Sequence, residues 1–157
     1  MIDLSPLKGM RVDPGRRTVR VQAGLTLGEF DRETQASGLG TTMGIATDTG
    51  IAGLTLGGGY GWLGGKYGLA CDNLLAVDVV TAEGQVVTVS ESENADLFWG
   101  VRGGSGNFGI VTSFEYQRLA TSNTPSFTLM TFWAVFIASL LSLCREVRTT
   151  KTYHTVR

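Results

Sequence analysis

The chain has 157 residues, a formal net charge of −1 and 43% hydrophobic residues. This composition favours one folded domain, and it offers no basic surface for nucleic acid. Its single histidine, His154, argues against a Ser-His-Asp or Cys-His mechanism and against a histidine-based metal site. Glycine is the outlier, with 22 residues, or about twice its usual share, so the fold must need unusual backbone geometry.

The first predicted elements are a strand and a helix. Residues 18–23 alternate apolar and polar side chains, which is the pattern of a half-buried strand. Thr26 and Glu29 have the T-x-x-E spacing of a capping box, so a helix is predicted from there to about Ser37. Gly38 is the predicted C-terminal cap.

Residues 38–68 contain twelve of the 22 glycines. Each glycine costs roughly 1 kcal/mol in a helix interior, and glycine weakens strands as well. The sequence therefore predicts tight turns, short strands and close backbone approaches here, with little regular structure.

Further along the chain, residues 75–89 predict a β-hairpin with Glu83 and Gly84 in its turn. A second glycine cluster occupies residues 100–109. Residues 108–119 are rich in β-branched and aromatic side chains, so a last strand is predicted there.

A short helix is predicted over residues 95–101, between the hairpin and the last strand. Asn94 or Ser92 is expected to cap its N-terminus, since short polar side chains accept hydrogen bonds from the first helical amides. Phe98 and Trp99 are both expected in the core.

The glycine run at residues 57–64 contains a G-x-G-x-x-G pattern, which invites a nucleotide-binding interpretation. A Rossmann fold is rejected because residues 65–68 cannot begin a long helix and because Asp78 lies inside an apolar strand. A Walker A loop is rejected because Lys66 is followed by Tyr67 instead of Ser or Thr. A glycine-rich turn without a ligand remains the alternative.

Three segments together carry a family resemblance: VRVQAGLTLGEFDRETQASGLGTTMG, TDTGIAGLTLGGGYGWLGGKYGLACDNLLAVDVVTAEGQVVTVS and NADLFWGVRGGSGNFGIVTSFEY. In this order they resemble the second half of the FAD-binding domain of the vanillyl-alcohol oxidase/p-cresol methylhydroxylase (PCMH) class, in its berberine-bridge-enzyme-like branch. The resemblance covers about two thirds of the chain. It implies an α+β fold with a small mixed or antiparallel sheet flanked by helices, and residues 1–119 are predicted to be a partial FAD-binding domain.

The resemblance also implies which residues approach FAD. Those expected beside the flavin and its ribityl-pyrophosphate are Thr49, Gly50, Gly53, Gly57, Gly58, Gly59, Tyr60 and Gly61. Asp72 and Asn73 are expected next to the cofactor, and the backbone of Gly109, Ile110 and Val111 is expected to meet the adenine. For Asp72 the alternative is a helix or turn cap. For Tyr60 and Trp62 the alternative is core packing, which we prefer for Trp62.

The departures from the family pattern define what the chain lacks. Ala46 stands where members with a doubly linked flavin carry cysteine, so a cysteinyl link is not expected and FAD is predicted to be non-covalent with respect to this chain. The chain is expected to begin after the family's histidine attachment motif, R-S-G-G-H, and no residue matches the family's catalytic base.

The resemblance implies a fragment of an oxidase in which a C–H bond next to a hydroxyl or amine of a small-molecule substrate gives hydride to FAD, with O₂ as acceptor. The alternatives are a non-catalytic remnant or partner-binding domain without FAD, and a membrane-tethered domain.

Residues 120–157 show no family resemblance. Their apolar segment, residues 127–144, is free of charge and is just long enough for a marginal transmembrane helix of about 27 Å. Two other interpretations of this segment remain. It is an apolar C-terminal helix that covers exposed surface, or the tail is the product of a shifted reading frame or a wrong gene model. No signal peptide is visible, and the compartment is not predicted. Cys71 and Cys144 are interpreted as free, buried thiols.

Overall fold

The computed structural model describes residues 2–117 and 119–120, which form an α+β arrangement of an antiparallel sheet with short helices. The strands are β1 (Met10–Asp13), β2 (Thr18–Gln22), β3 (Leu39–Gly40), β4 (Leu74–Val80), β5 (Val86–Ser90), β6 (Ile110–Gln117) and β7 (Leu119–Ala120). The helices are α1 (Leu27–Ala36), α2 (Ile51–Leu56), α3 (Gly64–Tyr67) and α4 (Ala95–Val101), with 3-10 turns at Cys71–Asn73 and Ser105–Phe108.

Five strands form the main sheet in the order β1-β2-β6-β4-β5, and every neighbouring pair is antiparallel. The long strand β6 lies in the middle, so it joins the β1–β2 hairpin to the β4–β5 hairpin. Strands β3 and β7 form a separate antiparallel pair. The small antiparallel sheet predicted by the resemblance is thus confirmed.

One face of the sheet is apolar and carries the core. Val19, which pairs with Tyr116, and Val77, which pairs with Phe114, are all buried on this face. Phe30 of α1 packs edge-on against Tyr116, with ring centroids 5.9 Å apart and an interplanar angle of 72°. This aromatic contact attaches α1 to the sheet, because apolar burial is the main favourable term in folding.

The opposite face of the sheet is polar. Arg20 on β2 forms ion pairs with Asp78 on β4 and, at 3.7 Å, with Glu115 on β6. Thr88 on β5 donates a hydrogen bond of 3.2 Å to the Asp78 carboxylate. Asp78 is therefore a cross-strand partner and not a ribose ligand, in agreement with the rejection of a Rossmann site.

Helix α1 forms as its local signals predict. The Thr26 hydroxyl accepts from the Glu29 backbone N–H, and the Glu29 carboxylate accepts from the Thr26 N–H, so the capping box is complete. Gly38 adopts the left-handed conformation, with φ at 62°, just after the helix end. The hydrogen bonds from Lys8 and the Thr26 backbone lower the pKa of Glu29 to about 2.

Several sequence predictions are wrong in detail. Trp99 is 80% exposed and Trp62 is 55% exposed, so neither lies in the core. On the short helix α4, Phe98, Gly100 and Val101 are buried and Leu97 packs against the core, whereas Trp99 faces solvent. Asn94 occupies the N-cap position but makes no cap hydrogen bond: its backbone is left-handed, with φ 53° and ψ 50°, where a capping residue is extended. Its side-chain NH2 donates to the Thr88 carbonyl at 2.8 Å.

A buried hydrogen bond connects α2 to the sheet. The Thr55 and Tyr116 hydroxyls lie 2.7 Å apart, and both residues are fully buried. We expect Tyr116→Phe to lower the free energy of unfolding by about 1–3 kcal/mol, because the buried Thr55 hydroxyl would lose its hydrogen bond to Tyr116. Urea unfolding of this variant, of Thr55→Val and of the double variant measures the pair. If the losses of stability in the two single variants simply add in the double variant, the hydrogen bond between the two hydroxyls would be contradicted.

The burial of Tyr116 also predicts a pH dependence of stability. Burial raises the pKa of Tyr116 above its ordinary value of about 10. The contribution of the neutral phenol to stability is therefore complete below pH 10, and it is lost as the pH rises and the unfolded chain ionises.

The apolar segment predicted to be a C-terminal helix, residues 127–144, lies outside the described residues, as do Cys144 and most of the predicted tail 120–157. Within the part of the chain that the structure describes, no helix is long and apolar enough to cross a membrane. Cys71 is free and buried, as predicted.

Candidate cofactor-binding site

The first glycine cluster contains a helix, α2, that the sequence did not predict. Its start is held against the beginning of α1: the Leu27 N–H donates to the Thr49 carbonyl at 2.9 Å, and the Ile51 N–H donates to the Leu25 carbonyl at 3.0 Å. Gly50 lies between these two anchors and directly precedes the helix. The backbone around Thr49 and Gly50 is therefore held in a defined position.

The loop after α2 has a conformation that favours glycine. Gly58 and Gly59 both have positive φ, at 101° and 81°. Their carbonyls accept hydrogen bonds from the N–H groups of Cys71, at 2.9 Å, and Ala70, at 2.8 Å. This pairing brings the 3-10 turn Cys71–Asn73 beside residues 57–61, so the structure places these two predicted segments together.

Asp72 and Asn73 stabilise that turn. The Asp72 carboxylate accepts from the Leu69 N–H at 2.8 Å and lies 3.7 Å from the Arg102 guanidinium. The buried Asn73 amide donates to the carbonyls of Tyr67 and Leu69, at 3.0 and 2.7 Å. The alternative role of Asp72 as a turn cap is therefore correct, and it is compatible with a position beside a cofactor.

The second glycine cluster lies next to the first. The 3-10 turn Ser105–Phe108 contacts α2. Gly109 has φ at 136°, and an added Cβ would lie 2.6 Å from the Val80 carbonyl oxygen. Ile110 pairs with Val80, and the buried Val111 pairs with Val79. Gly109 is thus required where β6 begins, close to β4.

The glycines of the first cluster divide into two kinds. An added Cβ at Gly61 would overlap the Met43 carbonyl oxygen, and one at Gly59 would lie 2.5 Å from the Ala70 Cβ. These two glycines are required by packing. At Gly50 and Gly53, by contrast, an added Cβ would meet nothing within 4 Å, and neither residue has a positive φ.

Gly53 is the informative case, because it lies inside α2. Alanine would suit a helix interior better by roughly 1 kcal/mol, and nothing in the described residues prevents it. Gly50 and Gly53 therefore leave bare, open backbone beside the loop of residues 57–61. A planar ligand with an anionic diphosphate needs this kind of close, unshielded backbone.

Two aromatic side chains that follow Gly59 along the chain, Tyr60 and Trp62, are exposed. Tyr60 is 70% exposed, so core packing is wrong for it, as it is for Trp62. A cavity of about 510 Å³ lies elsewhere, over the polar face of the sheet around the paired Arg20 and Asp78. That cavity includes none of the residues expected to approach FAD.

The fold is that of a flavin-binding domain. A family model described as "FAD binding domain" matches residues 1–90. The "FAD-linked oxidoreductase pgmH" of Aspergillus terreus is 46% identical over 134 residues, which are 85% of this chain and 27% of that protein. The chain belongs to this family of FAD-linked oxidoreductases.

Solved structures agree with this assignment. A glucooligosaccharide oxidase of Acremonium strictum is 37% identical with a TM-score of 0.73, over 76% of this chain and 25% of that one. The wild-type BBE-like 1 protein of Physcomitrella patens is 36% identical with a TM-score of 0.72, over 75% and 26%. The predicted PCMH-type and berberine-bridge-enzyme-like relationship is confirmed, and the chain spans about a quarter of the length of these relatives.

Sequence reasoning missed α2, β1 and the contacts of Arg102. The α2 sequence does place Ile51 and Thr55 on one buried face, which is a helical spacing, but the surrounding glycines obscure it. No local signal predicts that Arg102 faces Asp72, because the two lie in different loops that meet only in the folded chain.

Proposed function

We propose that this chain supplies part of the FAD-binding surface of a flavin-dependent oxidoreductase. The observation that carries the proposal is the bare backbone of Gly50 and Gly53. A glycine inside a helix lowers stability, and in this structure it has no steric reason within the described residues. Gly65 of α3 is equally open, so open space alone does not mark a contact. Gly53 differs because it adjoins the loop of residues 57–61, where its carbonyl accepts from the Gly57 N–H at 3.2 Å. Close approach of a ligand to that loop supplies the reason for glycine at position 53.

The proposed contacts run along three segments that the fold places near one another. The backbone of residues 49–61 would follow the flavin and the ribityl-diphosphate, with Tyr60 at its exposed end. Asp72 and Asn73 would hold their turn beside the cofactor, and the backbone of residues 109–111 would meet the adenine. Each contact is made mainly by main-chain atoms, which explains why so few charged side chains lie in the glycine clusters.

The chemistry that FAD supplies in this proposal is acceptance of hydride from a C–H bond next to a hydroxyl or amine, with O₂ as the final acceptor. The residues of this chain bind and orient the cofactor. No side chain here matches the family's catalytic base, so we place that base, and the pocket for a small-molecule substrate, in a polypeptide region outside this sequence. On this proposal the 157-residue chain alone does not oxidise substrate.

We further propose that FAD is held by this chain without a covalent bond. Ala46 occupies the position of the family's flavin-linking cysteine, and its exposed methyl group has no nucleophilic sulfur. The A. strictum relative is described as having a novel flavinylation, so attachment differs among relatives. FAD that elutes separately from the acid-denatured chain would support this proposal, and FAD that stays with the chain would contradict it.

A second candidate is a partner-binding domain that does not take up FAD. The exposed rings of Tyr60, Trp62 and Trp99 favour it, since exposed aromatic surface is typical of protein contacts. The tail segment 127–144 supports a third candidate, a membrane-tethered domain. Recovery of the whole chain in the soluble fraction without detergent would contradict the tether.

Titration with FAD distinguishes the first candidate from the second. We expect a saturable change in flavin fluorescence, together with a higher free energy of unfolding in the presence of FAD. At a free FAD concentration of 100 times the dissociation constant, ligand linkage predicts a gain of about 2.7 kcal/mol. No binding at tens of micromolar FAD, with unchanged unfolding, would overturn the proposal and favour the partner-binding domain.

A further inference from the structure

We propose that Arg102 is a positioning residue that, through Asp72, connects the two glycine clusters and holds the FAD-binding surface in its binding geometry. This inference rests on the proposed function. It concerns a side chain that does not itself have to touch the cofactor.

The position of Arg102 fits this role. It directly follows α4 and precedes Gly103, whose φ is 109°, so it lies within the second cluster. The guanidinium carbon lies 5.3 Å from the centre of the buried Phe98 ring, which supports the side chain. From there a terminal nitrogen reaches to 3.7 Å from the Asp72 carboxylate.

Asp72 links Arg102 to the first glycine cluster. Its second carboxylate oxygen accepts from the Leu69 N–H at 2.8 Å. The same turn continues into Ala70 and Cys71, whose N–H groups bind the carbonyls of residues 58–59. A continuous series of contacts therefore leads from Arg102 to the loop that is proposed to meet the flavin.

The Arg102–Asp72 ion pair is expected to contribute little to folding stability, which distinguishes a role in FAD binding from a role in folding. The two side chains are 31% and 48% exposed, and exposed pairs contribute little to folding because water screens them. A ligand that covers the loops would exclude water and strengthen the attraction. The pair should therefore affect FAD affinity more than the stability of the free chain.

A double-mutant cycle on the 157-residue chain tests the connection. Asp72→Asn retains an acceptor for the Leu69 N–H and removes only the charge, and Arg102→Gln removes the other charge. We expect each variant to weaken FAD binding about fivefold. The double variant should also show about fivefold weakening, in place of about 25-fold for independent sites. Arg102→Lys, which retains the charge, should recover most of the affinity.

A matched control and a second measurement complete the test. Arg20→Gln breaks an ion pair on the polar sheet face and should leave FAD affinity unchanged. Without FAD, amide hydrogen exchange at residues 69–71 should be about threefold faster in Asp72→Asn and in Arg102→Gln, and unchanged in Arg20→Gln.

The outcomes separate this inference from the proposed function. Additive losses of FAD affinity would overturn the positioning role. If the unmodified chain takes up no FAD, the proposed function fails, and hydrogen exchange still decides whether Arg102 and Asp72 hold the loop. Unchanged exchange in both variants would overturn the inference.

Discussion

Replacing Gly53 with alanine is expected to stabilise the free chain and, at the same time, to weaken FAD binding. The added methyl group meets nothing within 4 Å, and alanine is the better residue in α2, so the free energy of unfolding should rise by about 0.5–1 kcal/mol. The same methyl group would stand where the proposed ligand approaches the backbone. Overpacking of about 1–3 kcal/mol corresponds to a loss of FAD affinity of about 5- to 150-fold.

Gly65→Ala is the matched control for this experiment. Gly65 lies inside α3, its added Cβ also meets nothing within 4 Å, and it is not among the residues proposed to contact FAD. It should raise stability in the same direction and leave FAD affinity unchanged. Urea unfolding and fluorescence titration on both variants measure the two effects separately. Equal FAD affinity in Gly53→Ala and the unmodified chain would contradict the proposed contact.

Gly61→Ala is expected to have the opposite effect on stability. Its Cβ would overlap the carbonyl oxygen of Met43, which is backbone and cannot rotate away as a flexible side chain could. Met43 lies in a buried segment, so the two chain segments would have to separate. We expect a loss of about 3 kcal/mol or more, measured by urea unfolding, or failure to fold.

Gly65→Ala is also the control for the Gly61 prediction. Gly65→Ala introduces the same methyl group without a clash, so it separates the loss of glycine from the overlap with Met43. A Gly61→Ala chain that unfolds at the same urea concentration as the unmodified protein would contradict the close packing of residues 57–61 on Met43.

Elements with strong local signals could be predicted from the sequence. Helix α1 begins within one residue of its expected start, because the Thr26–Glu29 capping box depends only on neighbours along the chain. The β4–β5 hairpin follows from apolar runs on either side of Gly84, which adopts a positive φ of 77°. The order and spacing of the glycine-rich segments were sufficient for the family.

Elements that depend on distant contacts could not be predicted in the same way. Phe98 and Trp99 are adjacent aromatic residues with similar hydrophobicity, yet only Phe98 is buried, because the packing of α4 decides which side faces the core. Asn94 has a residue type that caps helices, but its left-handed backbone and the hydrogen bond from its NH2 to the Thr88 carbonyl leave the cap unmade. Neither outcome is visible in the local pattern.

By itself, the sequence determined the family, the capped helix and the hairpin, since these depend on residue type and spacing along the chain. It also located the two glycine clusters, with the flavin-binding role that the resemblance implies. Only the tertiary structure decided whether packing requires glycine at a given position. Gly61 is required because the Met43 backbone lies against it, whereas Gly53 faces open space. The physical difference is what a Cβ atom would meet, and residues distant in the sequence determine that.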